Sequence, residues 1–196
     1  MKIGIFGGTF DPVHQGHLVL ARSAREEFRL DKVFFIPTWI TPHKTAESPA
    51  ASGKQRYDML ELALQKENEF FVSEAEIKRK GISYTIDTLK IFRRDFPKDE
   101  FFLILGADSY QHFPSWKDPQ EIAAMVHFLI APREGCKLIL DPVKTSLISM
   151  KPFSLSASEI RARFKEGKSV TDNQVPGKVL EYIHQHGLYQ SSKSVA

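Results

Sequence analysis

The sequence is short of cysteine, of long apolar runs and of net charge. Cys136 is the only cysteine among 196 residues, so no internal disulfide can form and nothing points to an oxidising compartment. No apolar run approaches the ~20 residues of a membrane-spanning helix. The leading residues run from Met1 to Phe6 straight into glycines, too short a stretch for the apolar core of a signal peptide. A soluble, cytoplasmic protein is expected. The net charge of +3 falls short of a nucleic-acid-binding signature but suits small anionic ligands. Neither G-x-G-x-x-G nor G-x-x-x-x-G-K-[ST] occurs in the first glycine-rich string, and no H-E-x-x-H offers a zinc pair. No internal repeat or low-complexity segment is visible.

What is present is alternation. Apolar runs predict strands over 2–6, 32–37, 70–74, 100–105, 127–131 and 145–150. Helical spacing predicts helices over 17–30, 55–65, 84–92, 119–125 and 156–165, with a last helix from about Pro176. Leu20, Ala24 and Phe28 show the i, i+4, i+8 spacing, and Gly187 stands where a helix-terminating glycine belongs. Strands alternating with helices imply an α/β fold with a doubly wound parallel sheet covered on both faces. A single domain over 1–189 is expected, with 152–189 as a small helical subdomain and 190–196 as a flexible tail. In such sheets ligands bind beyond the C-terminal strand ends, so residues just after strands are the place to look for chemistry.

Two strings stand there. After the first strand comes Gly7-Gly8-Thr9-Phe10-Asp11-Pro12-Val13-His14-Gln15-Gly16-His17. Its glycines let a backbone approach a ligand, and the helix that follows offers free N–H groups and partial positive charge to phosphate. His14 and His17 are three apart, and a helical first turn puts both imidazoles on one side. Alone, these elements read equally as an ordinary strand-to-helix turn with capping histidines. The second string is Ser154-Leu155-Ser156-Ala157-Ser158-Glu159-Ile160-Arg161. Ser156 or Ser158 can cap the helix, and Glu159, three after Ser156, fits a capping box.

The first string resembles the His-x-Gly-His signature of the nucleotidylyltransferase superfamily, and the second its Ile-Ser-Ser-Thr-x-Ile-Arg signature, with Leu155, Ala157 and Ser158 at the departing positions. Thr41-Pro42-His43-Lys44, Ser83-Tyr84-Thr85-Ile86-Asp87-Thr88-Leu89 and the stretch from Gly106 to Trp116 extend the likeness to bacterial nicotinate-nucleotide adenylyltransferases over nearly the whole chain. The resemblance implies a Rossmann-like fold of the His-x-Gly-His nucleotidylyltransferase type. It also implies transfer of an adenylyl group from ATP to nicotinate mononucleotide, releasing pyrophosphate, in NAD biosynthesis. The alternatives are a nicotinamide mononucleotide or other phosphorylated acceptor, or a non-catalytic nucleotide sensor.

It assigns catalysis to His14, His17 and Arg161. ATP would be held by Gly7, Gly8, Thr9, Phe10, Asp108, Arg133, Ser156 and Ser158 together with those three. Lys44 would hold the mononucleotide phosphate, Thr85 the nicotinate carboxylate and Trp116 the pyridinium ring. Lys117, where the family often has an aromatic residue or Arg, would add charge near that carboxylate. Mg²⁺ is expected to accompany ATP without dedicated protein ligands. No nucleic acid or membrane partner is expected, and a homodimer is entertained.

Overall fold

The computed structural model describes residues 1–42, 49–133, 144–151 and 155–191. Six strands form one sheet: β1 (Lys2–Gly8), β2 (Lys32–Pro37), β3 (Phe70–Val72), β4 (Glu100–Gly106), β5 (Val126–Ala131) and β6 (Thr145–Leu147). Every pairing is parallel, and the order is β3-β2-β1-β4-β5-β6. This is the doubly wound order expected from strand–helix alternation. The direction of winding reverses between β1 and β4, where a crevice opens at their C-terminal ends.

The helices between are α1 (Gln15–Phe28), α2 (Gly53–Leu64), α3 (Ala75–Arg79), α4 (Thr85–Asp95), α5 (Ala107–Gln111), α6 (Pro119–Met125), α7 (Ala157–Lys165) and α8 (Gly177–Gln185). Both sheet faces are covered. One face packs Phe6, Phe35 and Ile104 against Leu20 and Ala24 of α1, Met59 and Leu60 of α2, Ile160 of α7 and Ile183 of α8. The other packs Ile3, Ile5 and Leu103 against Ile86 and Leu89 of α4 and Ile122 of α6. A strand buried on both sides must be apolar throughout, which is why β4 reads Phe101-Phe102-Leu103-Ile104-Leu105 without alternation. Among the described residues no helix is long and apolar enough to cross a membrane.

The element boundaries differ from the sequence expectation in instructive ways. α1 starts two residues earlier than predicted, with His14 as its extended N-cap, and it stops at Phe28 because Arg29 turns left-handed at φ 53°. His17 therefore sits in the first turn. β6 is shorter than predicted because the Met150 N–H turns back to the Ile148 carbonyl at 2.9 Å. The five-residue helices α3 and α5 had no signal in the sequence, since neither is long enough to show an amphipathic period.

Candidate active site

β1 runs into Gly7-Gly8 at the crevice and the chain then turns through Thr9 to Val13. Phe10 is buried at a left-handed φ of 50°. Its ring lies so close to Gly8 that a Cβ there would sit 2.9 Å from it, so only glycine fits. Among the described residues a Cβ on Gly7 meets no atom within 4 Å, which leaves its backbone open to the crevice.

His14 and His17 stack at the N-terminus of α1, with ring centroids 3.7 Å apart and planes 28° from parallel. The His14 backbone N–H donates to His17 Nδ1 at 3.2 Å. That bond occupies the Nδ1 lone pair, so neutral His17 carries its proton on Nε2. The Phe10 ring stands edge-on to His17 at 4.9 Å and Phe6 lies at 6.0 Å. Desolvation in this aromatic setting, and then the neighbouring His14, hold His17 well below the ordinary imidazole range. Burial likewise brings His14 down to about 4, opposed by the Glu159 carboxylate. Two stacked imidazoles cannot both be charged at this separation, and burial favours the neutral form of each. Among the described residues His14 Nδ1 is buried without a hydrogen-bond partner.

The second string forms the facing wall. Ser156 caps α7, accepting from the Glu159 N–H at 3.2 Å, while Glu159 accepts from the Ser156 N–H at 2.8 Å. The capping box is therefore real and Ser156, not Ser158, is the cap. Ser158 instead accepts from Arg161 Nη2 at 3.2 Å. Arg161 Nη1 reaches across to the Asp11 carbonyl at 2.7 Å, joining α7 to the turn after β1.

Residues of both walls line one cleft of about 1110 Å³. All the positions expected at ATP are there: Gly7, Gly8, Thr9, Phe10, His14, His17, Asp108, Arg133, Ser156, Ser158 and Arg161. Asp108, at the start of α5 after β4, forms an ion pair with Arg133, which follows β5. Lys165, one turn beyond Arg161 on α7, also lines the cleft and had not been singled out in the sequence. The donor set is backbone N–H, imidazole, hydroxyl and guanidinium, which suits phosphate. The cleft carboxylates are each engaged: Asp11 by backbone N–H groups, Asp108 by Arg133 and Glu159 by Ser156. Mg²⁺ fits this cleft as an ion carried on the phosphates of a nucleotide rather than in a protein cage.

Of the positions expected at the second substrate, Thr85, Trp116 and Lys117 do not line this cleft. Lys44 lies outside the described residues. Thr85 is the first residue of α4, with Tyr84 as the extended N-cap. Trp116 is half-buried, edge-on to Phe113 at 5.7 Å. Lys117 ties that loop to the first turn of α4: its Nζ lies 3.3 Å from Asp87 Oδ1 and 4.7 Å over the Tyr84 ring. Thr85, Trp116 and Lys117 thus gather at one place. The buried Glu76 of α3 supports it from below, accepting from Thr88 Oγ1 of α4 at 2.6 Å.

Besides Glu76, two further buried charged residues were missed in the sequence. Asp11 accepts from the Ala50 and Ala51 N–H groups at 2.8 and 3.0 Å and from the Tyr189 hydroxyl at 2.7 Å. Arg56 donates from Nη1 to the Thr9 carbonyl at 2.8 Å and from Nε to the Ala51 carbonyl at 3.2 Å. Arg56 did leave a trace: it stands on the apolar face of α2 with Met59, Leu60 and Leu64, where a charge is out of place.

The cytidylyltransferase-like family matches residues 5–163. A relative from Desulfitobacterium hafniense (strain DSM 10664 / DCB-2), named "Probable nicotinate-nucleotide adenylyltransferase", is 41% identical over 96% of each chain. The nicotinate-nucleotide adenylyltransferase of Bacillus subtilis (strain 168) is 38% identical over 97% of this chain and 99% of that one. Among solved structures, Plasmodium falciparum nicotinic acid mononucleotide adenylyltransferase complexed with NaAD superposes with a TM-score of 0.78. It covers 96% of this chain and 97% of its own, and its 21% identity makes it a likeness of fold.

Proposed function

Since the chain belongs to the nicotinate-nucleotide adenylyltransferases of the cytidylyltransferase-like family, we infer that its cleft transfers the adenylyl group of ATP to nicotinate mononucleotide, in NAD biosynthesis. The observation that carries the reading is the pair of neutral, stacked histidines at the start of α1, facing Arg161 across a phosphate-suited cleft.

The chemistry is an in-line displacement. A phosphate oxygen of the mononucleotide forms a bond to the α-phosphorus of ATP, and the bond from that phosphorus to the bridging oxygen breaks. The electron pair leaves with pyrophosphate, and no covalent enzyme intermediate is needed. Catalysis is then positioning plus stabilisation of charge on phosphate oxygens. His17 is suited to this because the His14 N–H fixes its Nδ1 as acceptor and leaves Nε2–H to donate to an α-phosphate oxygen. His14 lies against His17. Arg161, with the capped start of α7, holds the leaving pyrophosphate, and Lys44 holds the attacking phosphate. Mg²⁺, when bound with ATP, supplies neutralisation of the phosphate charge.

The start of α4 takes the pyridine end: its first-turn N–H groups and the Thr85 hydroxyl suit a carboxylate, and Trp116 suits a cationic ring. Pyrophosphate release from ATP, compared across nicotinate mononucleotide, nicotinamide mononucleotide and phosphopantetheine, tests the reading. A strong preference for nicotinate mononucleotide is expected. Preference for another acceptor, or no release, would reject the substrate or the catalytic role respectively.

A further inference from the structure

Asp11 is 2% exposed, and both of its carboxylate oxygens accept hydrogen bonds. Oδ1 accepts from the Ala51 N–H and the Tyr189 hydroxyl, and Oδ2 accepts from the Ala50 N–H. Arg161 Nη1 sits on the Asp11 carbonyl with Oδ2 at 3.9 Å. Arg56 closes the other side by holding the carbonyls of Thr9 and Ala51 together. One carboxylate therefore joins the turn after β1, the segment before α2, the cleft arginine of α7 and the last residues described near the C-terminus.

Two residues in this assembly have a backbone that side chains disfavour. Phe10 has φ 50° and Tyr189 has φ 62°. A left-handed non-glycine residue is strained and persists only where its surroundings over-determine it. Tyr189 reaches Asp11 only because the chain reverses after α8 through Gly187, at φ 57°, which lets Leu188 and Tyr189 fold back onto the core. Neither Tyr189 nor Arg56 lines the cleft, so neither touches a substrate there.

We propose that Tyr189 and Arg56 are positioning residues for adenylyl transfer, acting through Asp11 to hold Arg161 and the Thr9–Asp11 turn at the pyrophosphate end of the cleft. The proposal rests on the adenylyl-transfer reading above. A buried carboxylate that loses a donor is under-solvated, and it recovers solvation by drawing on its remaining partners. The nearest partly exposed one is the Arg161 guanidinium, with Nη1 3.9 Å from Oδ2. Removing the Tyr189 hydroxyl should therefore displace Arg161 from the position in which it meets the leaving group.

Tyr189→Phe removes one oxygen atom and is read in a double-mutant cycle with Arg161→Lys, which keeps the charge but lacks the fork that spans the Asp11 carbonyl and Ser158. In the wild-type background, kcat/KM for ATP should fall about tenfold, the ~1.4 kcal/mol of one hydrogen bond to a charged group. In the Arg161→Lys background the same substitution should cost less than about twofold. Wild-type kinetics in folded Tyr189→Phe, or the same loss in both backgrounds, would overturn the proposal. A purely structural role would lower the melting temperature without this coupling. Arg56→Lys, read in the same cycle, replaces Tyr189→Phe should that variant not fold. Wild-type turnover of ATP with nicotinate mononucleotide is measured first, so a failure of the functional reading appears there and not in the cycle.

Discussion

At the phosphate end of the site, Asp11 and Arg56 are 2% and 1% exposed, and buried and part-buried hydrogen bonds of 2.7–3.0 Å tie the turn after β1 to its neighbours. At the start of α4, by contrast, Lys117 reaches Asp87 at 3.3 Å with 45% and 34% of the two side chains open to solvent. An exposed pair of that kind contributes about 0–1 kcal/mol, whereas leaving a buried charge unpaired costs several times more. On the proposed reading the first end handles phosphates, whose geometry must be held while charge moves between oxygens, and preorganised donors would serve that purpose. The second end would take a ring and a carboxylate, and the ion pair that ties its loop to α4 is an exposed one.

The comparison can be broken most directly at His17. His17→Ala removes the Nε2 donor and should lower kcat by about 10³-fold, with mononucleotide affinity kept; steady-state kinetics with separate binding measurements check it, and near-normal turnover would remove the assigned role. Next in size is Arg56→Met, which leaves the Thr9 and Ala51 carbonyls without their donor and Asp11 without its neighbouring cation. A loss of about 3 kcal/mol is expected from denaturant unfolding, and of about 10 °C in Tm. A loss under 1 kcal/mol would mean that the phosphate end is no more tightly built than the other. Trp116→Ala sharpens the contrast from the opposite side: KM for nicotinate mononucleotide should rise about tenfold and kcat should change less, and an unchanged KM would take Trp116 out of the site. The smallest effect belongs to Lys117→Ala, expected to change unfolding stability by less than about 0.5 kcal/mol. A larger loss would show that the loop at α4 is also rigidly anchored.

The strands that carry the site were legible because a parallel sheet buried on both faces demands uninterrupted apolar runs; β2 and α6 fall at their predicted limits. The positions that form the cleft were legible for a different reason: Gly7, Gly8, His14 and His17 alone read equally as an ordinary strand-to-helix turn, and only the resemblance of the two strings to the nucleotidylyltransferase signatures singled them out. Arg56 and Tyr189 were not legible as site-builders. Their partners lie 47 and 178 positions away in the chain, and no local pattern records which distant carbonyl or carboxylate a side chain will meet. The protonation state of His17 was equally out of reach, since the rings that desolvate it include Phe6 from inside the sheet.

By itself the sequence determined the α/β alternation, the turn that brings Gly7 and Gly8 to the end of β1, and the placing of His14 and His17 on one turn of α1, because each depends on interactions a few residues long. Only the tertiary structure decided which histidine nitrogen carries a proton, that Arg161 grips Asp11, and that the end of the chain returns to the phosphate site. Those facts depend on burial and on long-range hydrogen bonds, which exist only once the sheet has brought β1, α2, α7 and Tyr189 together.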